Sequence, residues 1–114
     1  MIPFKNRFHG PNAVRRLKGP SVHTQHFSAR VRKNPRASTY KLAVVVSKKV
    51  APKAVARNRI RRRVFEQIRT QARMNGLPIE MIIYLKSPDI AVLPAEIIAQ
   101  ELSELTRKAI ARVL

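Results

Sequence analysis

Eight lysines and arginines crowd the segment from Lys53 to Arg73, at positions 53, 57, 59, 61, 62, 63, 69 and 73, against Glu66 alone. A net charge of +7 over so short a stretch repels itself unless a polyanion neutralises it. The residue types point to phosphate as the anion. Arginine forks grip phosphate oxygens bidentately, lysine adds a point charge, and the amide of Asn58 both donates and accepts. Lys48, Lys49 and Lys53 precede the helix, whose N-terminal N–H groups also favour anions. From Arg57 to Arg73 a helix at ~1.5 Å per residue spans about 24 Å, enough to follow several phosphates. Solvated charged faces ordinarily mix signs, and this one does not. The candidate phosphate-binding residues are therefore Lys48, Lys49, Lys53, Arg57, Asn58, Arg59, Arg61, Arg62 and Arg69.

Other chemistries lack their residues. The acids are scattered, with no paired carboxylates for acid–base or two-metal work. His23 and His26 stand three apart in a strand-like run, on opposite faces, and with His9 they form no metal-ligand spacing. Gly10, Gly19 and Gly76 are the only glycines, too dispersed for a phosphate loop. No catalytic residue is expected, so any reaction the chain serves is catalysed by something else.

The basic segment must be held by elements that the rest of the sequence predicts. Pro11 to Lys18 reads as a short helix opened by proline and stopped by Gly19-Pro20, after a loosely ordered stretch over 1–10. From Val22 to Arg32 the pattern turns to strand, with Phe27, Ala29 and Val31 alternating against Ser28, Arg30 and Arg32. Asn34 to Ser38 is a turn. Tyr40 to Val46 is a near-continuous apolar run, as expected of a central strand buried on both faces. After a basic connector whose Pro52 delays the helix, Val55 to Met74 carries the cations, and Asn75-Gly76 ends it. On its wheel Ala56, Ile60, Val64, Ile68 and Ala72 form a stripe that packs on a sheet, with Phe65 beside it. Arg57 and Arg61 fall inside that apolar arc, so they must sit where the helix overhangs the sheet edge. Ile79 to Leu85 is a further strand. Pro94 to Val113 is a helix with Ile98, Leu102, Leu105 and Ala109 on one face, its acids early and its bases late, as the helix dipole favours. The fold class is α+β, a small two-layer sandwich in the order α-β-β(-β)-α-β-α with helices on one sheet face.

Charge divides along the chain. Residues 1–75 hold 20 lysines and arginines against Glu66, whereas residues 76–114 come to a net −1, within a total of +18. One part meets the polyanion and the rest is scaffold. The 114 residues suit one domain with a modest core, and 45% apolar content excludes a disordered tail. Without cysteine there is no disulfide or thiolate metal site. No apolar run has the length of a membrane span, and the N-terminus lacks a signal-peptide core. A soluble, cytoplasmic protein is expected. Basic amphipathic helices also bind acidic membranes, but this stripe lacks the Trp/Phe-rich face that insertion favours.

The stretch Val46-Ser47-Lys48-Lys49-Val50, followed by Lys53-Ala54-Val55-Ala56-Arg57-Asn58-Arg59-Ile60-Arg61-Arg62, resembles the signature of the protein subunit of bacterial ribonuclease P. The likeness extends through the order of elements over nearly the whole chain. It implies a left-handed βαβ crossover around the basic helix, against the usual right-handed rule. It also implies a catalytic RNA partner that removes the 5′ leader of precursor tRNA with Mg²⁺ held mainly by the RNA, none bound tightly by this chain, and no obligate protein partner. Lys49, Arg57, Asn58, Arg59, Arg61 and Arg62 match the family's RNA-contacting motif, and the leader is expected in a cleft on the exposed sheet face. Phe27, Arg30 and Arg32 are the leader-binding candidates, with Phe27 also fitting the core by its phase. The chain departs from the family pattern at Ala51-Pro52, where one glycine is common. Arg63 stands where an aliphatic residue is frequent, Phe65 where an arginine is, and Val14 and Leu17 where phenylalanine is. Two rival readings come from other classes. A small basic ribosomal protein of α+β build would share the charge, and a protein-only nuclease would need clustered acids or a histidine pair.

Overall fold

The computed structural model describes residues 18–114. Strand β1 (Ser21–His23) and strand β2 (Phe27–Lys33) form an antiparallel hairpin with Val22 opposite Ala29. The sequence predicts one continuous strand here. The break at residues 24–26 has a chemical cause: the carboxylate of Glu101 accepts from the Thr24 hydroxyl (2.7 Å) and the His26 backbone N–H (2.6 Å), which fixes the turn. Residues 1–10 and most of the expected helix from Pro11 lie outside the described residues. Gly19 leads into β1 against the backbone of β2, and a Cβ on it would come within 2.3 Å of the Val31 carbonyl oxygen.

Strand β3 (Lys41–Val45) runs parallel to β4 (Ile79–Leu85), which is antiparallel to β2 on its other side. The sheet order is β1-β2-β4-β3. This corrects the sequence expectation for the valine-rich strand. It is an edge strand, with Leu42 and Val44 buried and Lys41, Ala43 and Val45 half-exposed. The central strand is β4, where Ile79, Met81, Ile83 and Leu85 face the helices and Ile82 is buried on the opposite side. Both runs are apolar, and residue type alone did not distinguish them. The pairing partners did.

Helix α1 (Ala54–Gln71) connects β3 to β4, and helix α2 (Ala95–Val113) follows a 3₁₀ turn at Pro88–Ala91. Both helices cover one sheet face, α1 above β3 and α2 above β1 and β2, and they touch each other. Ile60, Val64 and Ile68 of α1 and Ile98, Leu102, Leu105 and Ala109 of α2 are buried against Phe27, Val31, Leu42 and Met81. The periodic stripe thus packs as the wheel requires, except at its end. Helix α1 stops at Gln71, short of Met74, and Ala72 takes the left-handed conformation with φ 54°. A Cβ-bearing residue there costs about 1–2 kcal/mol. The early turn delivers Met74 into the core, at 2% exposure, which offsets that strain. It also leaves Ala72 exposed instead of completing the stripe.

Candidate nucleic-acid interface

Helix α1 enters its basic stretch without any acidic residue in the first turn and without a side-chain cap from Lys53. The Ser47–Ala51 turn that carries Lys48 and Lys49 precedes it, closed by the Val50 and Ala51 N–H groups on the Ser47 carbonyl. The cations then divide into two sets that the sequence did not separate.

The first set is tied within the protein. Arg57 lies half-buried, and its Nη1 donates to the carbonyl oxygens of Ala51 (3.0 Å) and Pro52 (2.7 Å). Its place in the apolar arc is thereby resolved: it caps the connector. Arg61 donates to the Asn58 side-chain oxygen. Arg63 donates through Nη1 to the Ile90 carbonyl and through Nη2 to the Leu93 carbonyl, both at 2.7 Å. Arg69 pairs with Glu66, and the hydrogen bond from Arg69 holds the Glu66 carboxyl below its usual range. Arg73 donates to the Ser103 hydroxyl at 2.8 Å.

The second set is Lys48, Lys49, Lys53, Arg59 and Arg62. All five are exposed, and none has a hydrogen-bond or ion-pair partner among the described residues. They run from the Ser47–Ala51 turn along the first half of α1. Asn58 is exposed beside Arg59 and Arg62. Of the nine residues expected to contact phosphate, these five and Asn58 form the accessible line. Arg57, Arg61 and Arg69 have donors committed elsewhere.

Between α1 and strand β3 lies a groove of about 860 Å³. Its helix side is lined by Asn58, Arg61, Arg62, Arg63, Phe65, Glu66 and Gln67, and its strand side by Leu42, Ala43 and Val44. Neither the groove nor the anchoring role of Arg63 was read from the sequence. Arg63 lies half-buried and takes its charge to two backbone carbonyls.

The sheet face away from the helices carries Ser28, Arg30 and Arg32 of β2 beside Tyr84, Ile82 and Glu80 of β4. Arg30 is exposed. Arg32 pairs with Glu80, its Nε at 2.8 Å, and Asn34 Nδ2 donates to the other carboxylate oxygen at 3.3 Å. Lys41 stands opposite Glu80 on β3. Phe27 is not on this surface. It is fully buried on the helix side, so the alternation phase wins and Phe27 is a core residue with no face for a leader. Glu80 is the residue that sequence reasoning passed over, an acid counted as scattered that cross-strand register sets directly opposite Arg32.

Among the described residues no group of three metal-ligating side chains exists, and no helix is long and apolar enough to cross a membrane. His23 is exposed, and His26 meets Glu101 through Nδ1 at 2.7 Å.

Among the described residues, a mixed four-stranded sheet with two helices on one face and a line of unpartnered cations along the crossover helix has the build of a small RNA-binding α+β protein. The family model Ribonuclease P matches residues 6–110, and the chain belongs to that family. It is similar to the RNase P protein of Staphylococcus aureus, with 24% identity over 95% of this chain and 96% of that one and a TM-score of 0.77. A second Staphylococcus aureus structure shares 25% identity over 96% of this chain and 93% of that one, with a TM-score of 0.72. The Thermotoga maritima RNase P protein is 24% identical over 79% of this chain and 84% of that one, with a TM-score of 0.66. No curated protein matches the chain. The chain is thus an RNA-binding protein subunit of the ribonuclease P enzyme, and the ribosomal reading has no support.

Proposed function

We propose that this subunit binds the catalytic RNA through Lys48, Lys49, Lys53, Arg59, Arg62 and Asn58, and lays the 5′ leader of precursor tRNA on the outer sheet face near Arg30 and Arg32. The observation that carries this reading is the sorting of the cations. The protein's own structure uses the donors of Arg57, Arg61, Arg63 and Arg69, and leaves a contiguous line exposed at the start of α1. Charge left unpaired in a self-repelling segment is stabilised by phosphate. The chemistry of hydrolysis belongs to the RNA and the Mg²⁺ ions the RNA holds. The protein lowers repulsion between catalytic RNA and substrate, so less free Mg²⁺ is needed to bring them together. On the sheet face, Arg30 offers a free fork to the leader backbone, while Arg32 is held in place by Glu80.

The test is reconstitution. The chain alone is expected to leave precursor tRNA uncut and to stimulate cleavage by its RNA partner at low Mg²⁺. Absence of stimulation, or cleavage by the chain without RNA, would overturn the cofactor reading.

A further inference from the structure

We infer that Glu80 is a positioning residue for the leader: its carboxylate fixes the Arg32 guanidinium so that the end-on fork of Arg32 takes a leader phosphate. The inference rests on the leader reading of the outer sheet face and adds to it the residue that sets where the leader backbone is gripped. An acid in the middle of a polyanion-binding face calls for a reason, since its charge opposes binding. Glu80 stands on the central strand, 8% exposed, in one cross-strand row with Arg32 of β2 and Lys41 of β3.

Arg32 donates through Nε (2.8 Å) and through Nη2 to the same carboxylate oxygen, Oε1. These contacts use the inner edge of the guanidinium. Both N–H groups of Nη1 and the second one of Nη2 remain, and together they form the end-on fork that matches two phosphate oxygens. The Arg32 side chain is 45% exposed and that of Glu80 only 11%, so contact with RNA falls to the arginine and not to the acid that holds it. The acid is held in turn. Asn34 Nδ2 donates to Oε2 at 3.3 Å, the Asn34 N–H donates to the Pro78 carbonyl (2.6 Å), and Asn34 Oδ1 accepts from the Arg36 N–H (3.2 Å). A functional side chain supported through two such layers keeps its geometry before the ligand arrives. Arg30, two residues earlier on the same face, is exposed and has no partner among the described residues, so it supplies charge without a fixed direction.

A cross-strand ion pair can also serve only to hold two strands together. Here β2 and β4 are already paired over seven residues, and that role uses neither the support from Asn34 nor the donors that Arg32 has left over.

The experiment reconstitutes the holoenzyme and compares its binding of a precursor tRNA with that of the same tRNA lacking its leader, at Mg²⁺ too low for cleavage. The unmodified chain is expected to favour the precursor, and that ratio of affinities is the readout. Glu80→Gln keeps the shape and removes a negative charge. Charge alone predicts a ratio that rises. Positioning predicts a ratio that falls roughly fivefold, the scale of one long side chain left to be ordered on association. Glu80→Asp keeps the charge but withdraws the oxygens from Arg32, so it should lower the ratio to a similar extent, and it serves as the test should Glu80→Gln fail to fold. Arg32→Gln removes the fork and should lower the ratio roughly tenfold, as for one charge-assisted hydrogen bond. Adding Glu80→Gln to Arg32→Gln should lower it no further, because the acid acts only through the arginine. A ratio unchanged or raised in Glu80→Gln, unchanged in Glu80→Asp, or lowered additively in the double substitution overturns this inference alone. Absence of any preference for the precursor in the unmodified holoenzyme overturns the leader reading beneath it.

Discussion

Salt dependence distinguishes the two sets of cations. Each phosphate neutralised contributes ~0.7–0.9 to the slope of log affinity against log salt. If all eight cations among the expected contacts met phosphate, a rise from ~50 to ~200 mM salt would weaken that part of the interface roughly 2,000- to 20,000-fold. With only Lys48, Lys49, Lys53, Arg59 and Arg62 available, the same rise weakens it roughly 100- to 500-fold. The perturbation is a pair of multiple substitutions measured against the unmodified chain, so that cations elsewhere on the protein cancel. Replacing those five by glutamine should flatten the slope by about 3.5–4.5. Replacing Arg57, Arg61 and Arg69 by glutamine should flatten it by less than about one, because their donors are engaged within the protein. The assay is fluorescence anisotropy of labelled catalytic RNA at fixed Mg²⁺ across the salt series. If the triple substitution flattens the slope as much as the quintuple one, the division into tied and free cations is wrong.

Neighbouring arginines should separate in effect. Arg63→Ala leaves the Ile90 and Leu93 carbonyls without their donor and should cost about 2–3 kcal/mol in denaturant unfolding with little change in RNA affinity. Arg62→Ala should do the reverse, lowering the salt slope by about 0.9 at unchanged stability. Acid should loosen the joint between the β1–β2 turn and α2. Burial alone would raise the pKa of Glu101, but hydrogen bonds from the His26 ring, the Thr24 hydroxyl and the His26 N–H outweigh it and hold the carboxyl below its usual range. A lowered folded pKa contributes stability above the unfolded value and loses it as pH falls through the folded value. Glu101→Gln should therefore be less stable than the unmodified chain at neutral pH, by about 2 kcal/mol, with the gap closing as acid protonates the Glu101 carboxylate in urea unfolding. A gap independent of pH would remove Glu101 from that role.

The two helices were legible because their stripes repeat over several turns. Ile60, Val64 and Ile68, and Ile98, Leu102 and Leu105, lie where periodicity puts them. Strand rank was not legible. Tyr40 to Val46 and Ile79 to Leu85 have similar composition, and which one is central depends on a crossover that no local pattern encodes. The split of the first strand depends on Glu101, 75 residues beyond His26. At the candidate interface, sequence placed the cations on one helix, as the structure does, and put Arg57 and Arg61 awkwardly in its apolar arc. It could not say that Arg57 would turn back to the connector or that Arg63 would reach the 3₁₀ turn, since both partners are backbone carbonyls, present at every residue and invisible as side-chain pattern.

The tied arginines bear on how such a helix exists before RNA arrives. A helix with no acid in its first turn and a run of like charges is destabilised on its own, by its dipole and by repulsion at i,i+3 and i,i+4 spacing. Three apolar side chains and a neighbour of opposite sign, Glu66, counter part of that. The rest is countered by giving guanidiniums carbonyl partners: Arg57 braces the N-terminal connector, and Arg63 braces the turn that leads into α2. Each such contact places a partial negative charge against a cation without using any of the chain's few acids. The helix is then ordered in the free protein, and the cations left over stand on an ordered backbone before any RNA arrives. At the proposed interface, binding would gain from that preorganisation, because the conformational entropy of the helix is lost on folding and not on association. If this is right, Arg57→Gln slows association with RNA through a frayed helix start while leaving the salt slope nearly intact, a combination that loss of a direct phosphate contact cannot produce.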